Sequence, residues 1–348
     1  MRRTALTLLV LPLVLLVAAP AWACGGLVNP NGTVALVKTT TLAGYRDGVE
    51  HYVTSFEFAG GGAEFGSIVP LPGIPSKVSR AGDWTLQRLV QEITPPVAEL
   101  RSAADSAGAE SAKAEVLLET RIDALDITIL KGGGDAVGEW AEENGFSLTP
   151  DAPEVLDFYA ARSPIFMAAR FDPAEAEELG QSVGDGTPIH LRIPTPSPWV
   201  PLRILGLGLG EKAQIEADVF VLTPSVPEML PRPAEAGSSE GMILERSEEA
   251  SEFLLADLRS DKGMKWIPRQ GMWLSYLRID AQAGDLTHDL AIDASGVGTP
   301  SPVAAGLAAP VGLNVPPAEG ARWPWLGAFL IAGAVVLVLV RVRRWTIG

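Results

Sequence analysis

Hydrophobic and polar positions alternate with a period of two over residues 33–58, where T-V-A-L-V-K-T-T-T-L-A leads through G-Y-R-D-G into V-E-H-Y-V-T-S-F-E-F. In the second arm Val49, His51, Val53 and Ser55 fall on one side and Glu50, Tyr52, Thr54 and Phe56 on the other. β-Branched and aromatic residues dominate both arms, so the pattern predicts a hairpin turning at Asp47-Gly48. Gly60-Gly61-Gly62 breaks it, and F-G-S-I-V-P-L-P resumes as a shorter strand that its prolines confine to an edge or an exit. The period then changes. Leu86, Leu89, Val90 and Ile93 recur at helical spacing, with Asp83 as the expected N-cap and Pro95-Pro96 as the stop. The Ala/Ser/Glu-rich stretch 97–114 has little to bury and reads as a solvent-side helix or a mobile insertion.

Farther on, a long strand is expected over 116–130. Asp135 is expected to cap a helix presenting Val137, Trp140 and Ala141 on one face, with Gly145 as its left-handed stop. A second helix is expected over 153–161, and strands over 165–171, 189–193, 200–207 and 215–222, with I-P-T-P-S-P-W-V-P as an extended connector. Ser247 is expected to cap a helix with Glu248 and Glu249 in its first turn and Phe253, Leu254 and Leu258 on one side, ended by Gly263. Segments 273–280 and 286–292 read as a closing strand pair. Y-V-T-S-F-E-F before G-S-I-V-P-L-P faintly echoes I-F-M-A-A-R-F before I-H-L-R-I-P-T-P, which leaves open a duplication of subdomains 24–96 and 115–225, with 240–293 closing the domain. The fold class predicted is α+β, a mainly antiparallel, hairpin-rich sheet with several short packed helices, plus one C-terminal transmembrane helix.

The two ends add a topology. Met1-Arg2-Arg3, an apolar run over 5–19 and Ala21-Trp22-Ala23 before Cys24 form the order of a secretory signal peptide, 1–23, with Ala21 and Ala23 fitting the peptidase subsites. Arg2-Arg3 also raises the twin-arginine route, though the strongly apolar run favours general secretion, and an uncleaved N-terminal anchor is the competing reading. Residues 323–340 carry no charge, and at about 1.5 Å per residue they span roughly 27 Å, close to the hydrocarbon thickness. Trp323 and Trp325 sit at the outer interface, and Arg341, Arg343 and Arg344 hold the far end in the cytoplasm. The expected order is therefore signal peptide, extracytoplasmic domain 24–293, Gly/Ala/Pro-rich stalk 294–321, span 322–341 and basic tail 342–348 in the cell membrane. Membrane lipid is one partner on this reading.

Charge narrows the function classes. The chain has 42 acidic and 27 basic residues; setting aside two arginines in the leader and four from Arg322 onward leaves an ectodomain near −21. Such a balance repels nucleic acid and supplies no basic, aromatic-interleaved stripe to hold it. Cys24 is the only cysteine, so no intrachain disulfide forms and stability comes from packing. At the first mature position it also invites lipidation, against which Ala21-Trp22-Ala23 is a poor lipoprotein box; an intermolecular disulfide is the remaining reading.

Local catalytic marks are sparse. The three histidines, His51, His190 and His288, stand at no ligand spacing, and no G-x-S-x-G, H-E-x-x-H or S-x-x-K occurs. Neither a metal nor an organic cofactor is indicated. His51 and His190 lie in strand patterns that suit structural histidines, and His288, beside Asp289 and near Asp285, is the better acid–base candidate, with His51 second. Gly206-Leu207-Gly208-Leu209-Gly210-Glu211-Lys212 fails as a phosphate loop, because glutamate precedes the lysine and a strand pattern follows. Glu57 with Glu64, or Asp123 with Asp126, are carboxylate pairs that spacing alone does not nominate.

Cys24-Gly25-Gly26 after the leader, Y-V-T-S-F-E-F at 52–58, F-G-S-I-V-P-L-P at 65–72, W-A-E-E-N-G-F at 140–146, P-L-R-I at 201–204 and L-S-Y-L-R-I-D near the end together resemble the bacterial domain-of-unknown-function family twenty-three-thirty. The resemblance implies an exported protein with a Cys-Gly-Gly start, often with a C-terminal membrane helix, and no assigned activity. Many members carry a second cysteine shortly after the first, where this chain has Val28-Asn29, so a family disulfide is not expected here. The function expected is a non-enzymatic module that binds a protein, peptide or envelope component through its acidic face or proline-edged strands. The alternative is an envelope hydrolase whose site joins distant carboxylates with His288 or His51.

Overall fold

Asp47 and Gly48 both adopt positive φ, 53° and 78°, and join the strands Ala35–Arg46 and Val49–Ala59 into the predicted antiparallel hairpin. Two consecutive left-handed residues give a turn whose twist matches its strands, and aspartate and glycine tolerate that backbone well. The computed structural model describes residues 26–28, 35–59, 65–94, 115–181 and 186–310. Within them the hairpin occupies the middle of an eight-stranded sheet, ordered Ala234–Glu235, Gly241–Glu249, Trp273–Gln282, Gln214–Thr223, Ala35–Arg46, Val49–Ala59, Ile189–Pro194 and Lys77–Arg80. Two pairings are parallel, Gln214–Thr223 with Ala35–Arg46 and Ala234–Glu235 with Gly241–Glu249; the rest are antiparallel.

Both faces of this sheet are covered, and alternation along each strand decides which residue goes where. Ala217, Val219 and Val221 enter one core with Tyr52, Leu191 and Ile193, packed against a second, antiparallel five-stranded sheet. That sheet runs Gly26–Val28, Phe65–Pro70, Ile165–Phe171, Leu125–Lys131 and Glu115–Ile122. Phe220 and Leu222 enter the other core with Leu42, Val53, Leu89 and Leu255. Helices α1 (Trp84–Ile93), α2 (Gly134–Glu143), α3 (Ala152–Ala160), α4 (Pro173–Glu178) and α5 (Glu252–Ser260) complete the architecture, α1 and α5 on the second core and α2 and α3 on the first. Each fully buried leucine there contributes about 1.5–3 kcal/mol. A three-stranded sheet of Trp199–Val200, Leu290–Asp293 and Glu228–Leu230 borders the first core. The fold is α+β with mostly antiparallel sheets and few helices, as the alternation predicts.

Several elements differ from expectation for identifiable reasons. Segment 116–130 is a hairpin, Glu115–Ile122 with Leu125–Lys131, turning at Asp123, whose φ of 50° is held by its carboxylate accepting from Arg80 Nε at 2.7 Å. No glycine marked that turn. Ser247 caps nothing: Gly241–Glu249 is a strand, and α5 begins after Ser251, whose hydroxyl accepts from Leu254 N–H at 3.1 Å. Pairing with Trp273–Gln282 overrides the helix preference of the Glu-rich run, and Phe253, expected inside, is 72% exposed. Strand structure ends at Val200, and Arg203–Gly206 is a 3₁₀ turn. Trp273–Gln282 and Leu290–Asp293 do not pair with each other; they belong to different sheets. Asp83 makes no cap bond, and Asp261 takes that place, its Oδ2 accepting from Thr85 N–H and Thr85 Oγ1 at 2.7 Å each.

The expected stalk from 294 starts as folded chain. Ala305 is fully buried, its carbonyl accepts from Asp289 N–H at 3.1 Å, and the contiguous unit runs to Ala309. Small residues that cannot build a core can still close against one. The leader with Ala21, Ala23 and Cys24, the stretch 97–114, and the span 322–341 with Trp323, Trp325, Arg341, Arg343 and Arg344 lie outside the described residues. No helix among the described residues is long and apolar enough to cross a membrane.

Candidate functional site

His51 and His190 come from neighbouring antiparallel strands and share one face of the large sheet, because Val53 stands opposite His190 and Arg192 opposite His51. His51 Nδ1 and His190 Nε2 are 3.0 Å apart, so one ring donates and the other accepts. Trp266 lies flat on His51, with ring centroids 3.9 Å apart and planes at 10°. Two glycines make room for this stack. A Cβ on Gly44 would stand 2.3 Å from Trp266 Cη2, and one on Gly263, at φ +85°, 3.1 Å from His190 Nδ1. Arg46 Nη1 donates to the Trp266 carbonyl at 2.8 Å, and Met264 and Ile267 anchor the loop in the second core. Burial, reinforced by His190 and Arg192, pushes His51 down to about 3; burial with Arg192 and Lys77 pushes His190 down to about 4. Both imidazoles are neutral at neutral pH.

The rim above the pair is cationic. Lys77 stands opposite Arg192 on the edge strand, while Lys262 and Lys265 flank Gly263 and Trp266 in sequence. Among the described residues Lys77, Arg192, Lys262 and Lys265 make no ion pair. Elsewhere Arg80, Arg88, Arg121, Arg162, Arg170, Arg203 and Arg278 are all paired to carboxylates. Four cations without an ion pair among the described residues thus belong to the strands and the loop that carry the histidine pair and one partly exposed tryptophan.

Directly beneath, on the opposite face, Glu50 is fully buried, and among the described residues neither carboxyl oxygen has a partner at full hydrogen-bond geometry. Burial raises it to about 8, offset only in part by the nearby Trp199 backbone. Consecutive residues Glu50 and His51 therefore enter opposite cores, both uncharged at neutral pH. Close by in the first core, Thr39, Thr41 and Thr54 face a cavity of about 20 Å³, room for roughly one water.

His288 has other surroundings. Its Nδ1 is 2.8 Å from Thr287 Oγ1 at the surface, while Asp289 points inward and is fully buried. Asp289 Oδ1 accepts from Tyr159 OH (2.8 Å), Leu202 N–H (2.8 Å) and Arg203 N–H (3.0 Å), and Oδ2 from Arg162 Nη2 (2.6 Å). That carboxylate is a structural joint. An open groove of about 480 Å³ lies beside Thr287, lined by Asp151, Glu154, Glu211 and the Gly206, Gly208 and Gly210 turns, but not by His288. Glu154 pairs with Arg203, and Asp151 Oδ2 accepts from Gly208 N–H at 2.9 Å. Sequence reasoning thus placed the better acid–base candidate at His288, whereas the structure joins the other two histidines. Trp266 was missed; the signal available was D-K-G-M-K-W-I-P-R, a basic run in an acidic chain.

Residues 18–239 match the family model described as uncharacterized protein conserved in bacteria (DUF2330). No curated protein matches. Two solved structures overlap weakly: baculovirus P35, with TM-score 0.36, 11% identity, 63% of this chain and 77% of that chain covered, and a mutated baculovirus P35 after caspase cleavage, with TM-score 0.35, 8% identity, 74% and 99% covered. Likeness of that degree carries neither fold nor function.

Proposed function

We propose, for a chain that belongs to the DUF2330 family of uncharacterized bacterial proteins, that it is a binding module of the cell envelope and meets its partner through the Trp266 face. One observation carries this: Lys77 faces Arg192 beside the neutral histidine pair, and Lys262 and Lys265 belong to the loop that lays Trp266 on that pair, with none of the four in an ion pair among the described residues. Tryptophan and arginine anchor binding surfaces because they combine large contact area with directional donors. The contact surface proposed is thus a cationic island, in place of the acidic face or the proline-edged strands that the sequence suggests. Acid–base catalysis is disfavoured here, since an imidazole held near 3 or 4 is a weak base and no carboxylate among the described residues bonds to the pair.

The envelope location rests on the leader 1–23 and the apolar segment 322–341 with its arginine tail. Protease added outside intact cells should remove the domain and spare the tail; protection of the whole chain would remove the location. The competing hydrolase reading is favoured by the acid-lined groove, where Asp151 and Glu154 are already engaged.

Photo-crosslinking in intact cells separates the two. A crosslinker at position 265 should give a discrete adduct, and one at position 287 in the groove should not. An adduct from 287 alone would move the function to the groove.

A further inference from the structure

Lys77 and Arg192 face each other across adjacent strands, where opposing side chains start about 4.5–5.5 Å apart, close enough to grip one oxyanion. A guanidinium offers paired donors to a phosphate, an ammonium adds a compact charge, and neither is neutralised by a carboxylate among the described residues. Lys262 and Lys265 continue the positive charge along the loop, and Trp266, next to Lys265, supplies an apolar surface on which a ring or carbon spacer can rest. Resting on the binding reading above, we infer that the Trp266 face binds a narrow, phosphate-bearing linear polymer of the cell envelope rather than a nucleic acid, one phosphate held between Lys77 and Arg192 and the next toward Lys262 and Lys265.

One feature selects this occupant. The island is small: Asp47 pairs with Arg46 at its border, and Asp261 adjoins Lys262. Charges within roughly 8 Å still interact at physiological salt. A broad acidic protein surface would overlap those carboxylates, whereas a thin chain of dense charge need not.

The test is calorimetric titration of the intact protein, in neutral detergent, with inorganic tripolyphosphate. Binding is expected, weakening several-fold as salt rises from about 50 to about 200 mM, because ion contacts are screened. The double variant Lys77→Ala/Arg192→Ala should lose at least about tenfold in affinity, the loss of one charge-assisted oxyanion contact, with its melting temperature unchanged. Arg192→Lys with Lys77 intact should recover part of it. Lys212→Ala, a cation outside the island, should bind as the parent does. No binding, equal weakening by Lys212→Ala, or tighter binding of poly-glutamate, of single-stranded DNA or of phosphatidylglycerol vesicles would overturn the inference. An adduct from position 265 without tripolyphosphate binding would sink the phosphate assignment and leave the binding module standing; absence of both would sink both.

Discussion

His51 Nδ1 meets His190 Nε2 at 3.0 Å although 139 residues separate them, and the contact has a cost in acid. The unfolded chain takes up these protons near about pH 6.5, whereas burial and the flanking cations hold the folded pair to about 3 and about 4. Between those limits the unfolded state binds more protons. Stability should therefore rise with pH from about 4 to about 6.5 and show no further contribution from the pair above that. Each histidine contributes a slope of at most about 1.4 kcal/mol per pH unit. Urea midpoints measured at pH 5 and 6.5 should differ in the parent and differ less in His51→Gln; an unchanged difference in the variant would contradict the account.

Glu50 acts with the opposite sign. Its carboxyl ionises near about pH 4.5 when unfolded and near about 8 when buried, so the folded state holds the extra proton between them. Stability falls as pH rises through that window and levels off above it. With the histidine limb below, the stability maximum is expected near about pH 6.5. Glu50→Gln should flatten the decline between pH 6.5 and 8, and persistence of the full decline would exclude Glu50 as its source.

Asp289 accepts four hydrogen bonds and faces Arg162, whose side chain is also buried. Asp289→Asn leaves that guanidinium without its counter-charge, so a loss of about 3–5 kcal/mol is expected in equilibrium unfolding. Tyr159→Phe removes the hydroxyl linking Asp289 to Ile204 N–H and should cost about 1–3 kcal/mol. Losses under about 1 kcal/mol in both would show the joint to be dispensable.

Gly44 sits beneath Trp266, and a methyl there would overlap the indole at 2.3 Å. Gly44→Ala should push the ring off His51 and destabilise the domain by about 1–3 kcal/mol, the usual range for overpacking. A Gly44→Ala crystal structure should show the indole displaced; an indole still parallel to His51 would contradict the packing account.

Legibility followed the range of the interactions. The Asp47-Gly48 turn, the 165–171 and 189–194 strands and α1 to α3 are set by local alternation and by residues a few positions apart, and sequence periodicity reads them. The strand at 241–249 depends on its pairing with 273–282, and the cap of α1 comes from Asp261, 176 residues from the Thr85 it serves. No local rule contains that information. The two-strand nature of 115–131 was hidden because an aspartate bound by a distant arginine does the work glycine usually does. The site was less legible still: His51 and His190 read as separate core residues, and only strand order makes them neighbours beneath Trp266.

Imidazole NMR of histidine-labelled protein, followed from pH 8 to pH 5, tests most directly whether His51 and His190 form a neutral foundation for a binding surface. Both rings should stay neutral across that range, hydrogen-bonded to each other, with His51 shifted upfield by the Trp266 ring current. A ring from this pair titrating between pH 6 and 7 would contradict the account and return the histidines to acid–base chemistry.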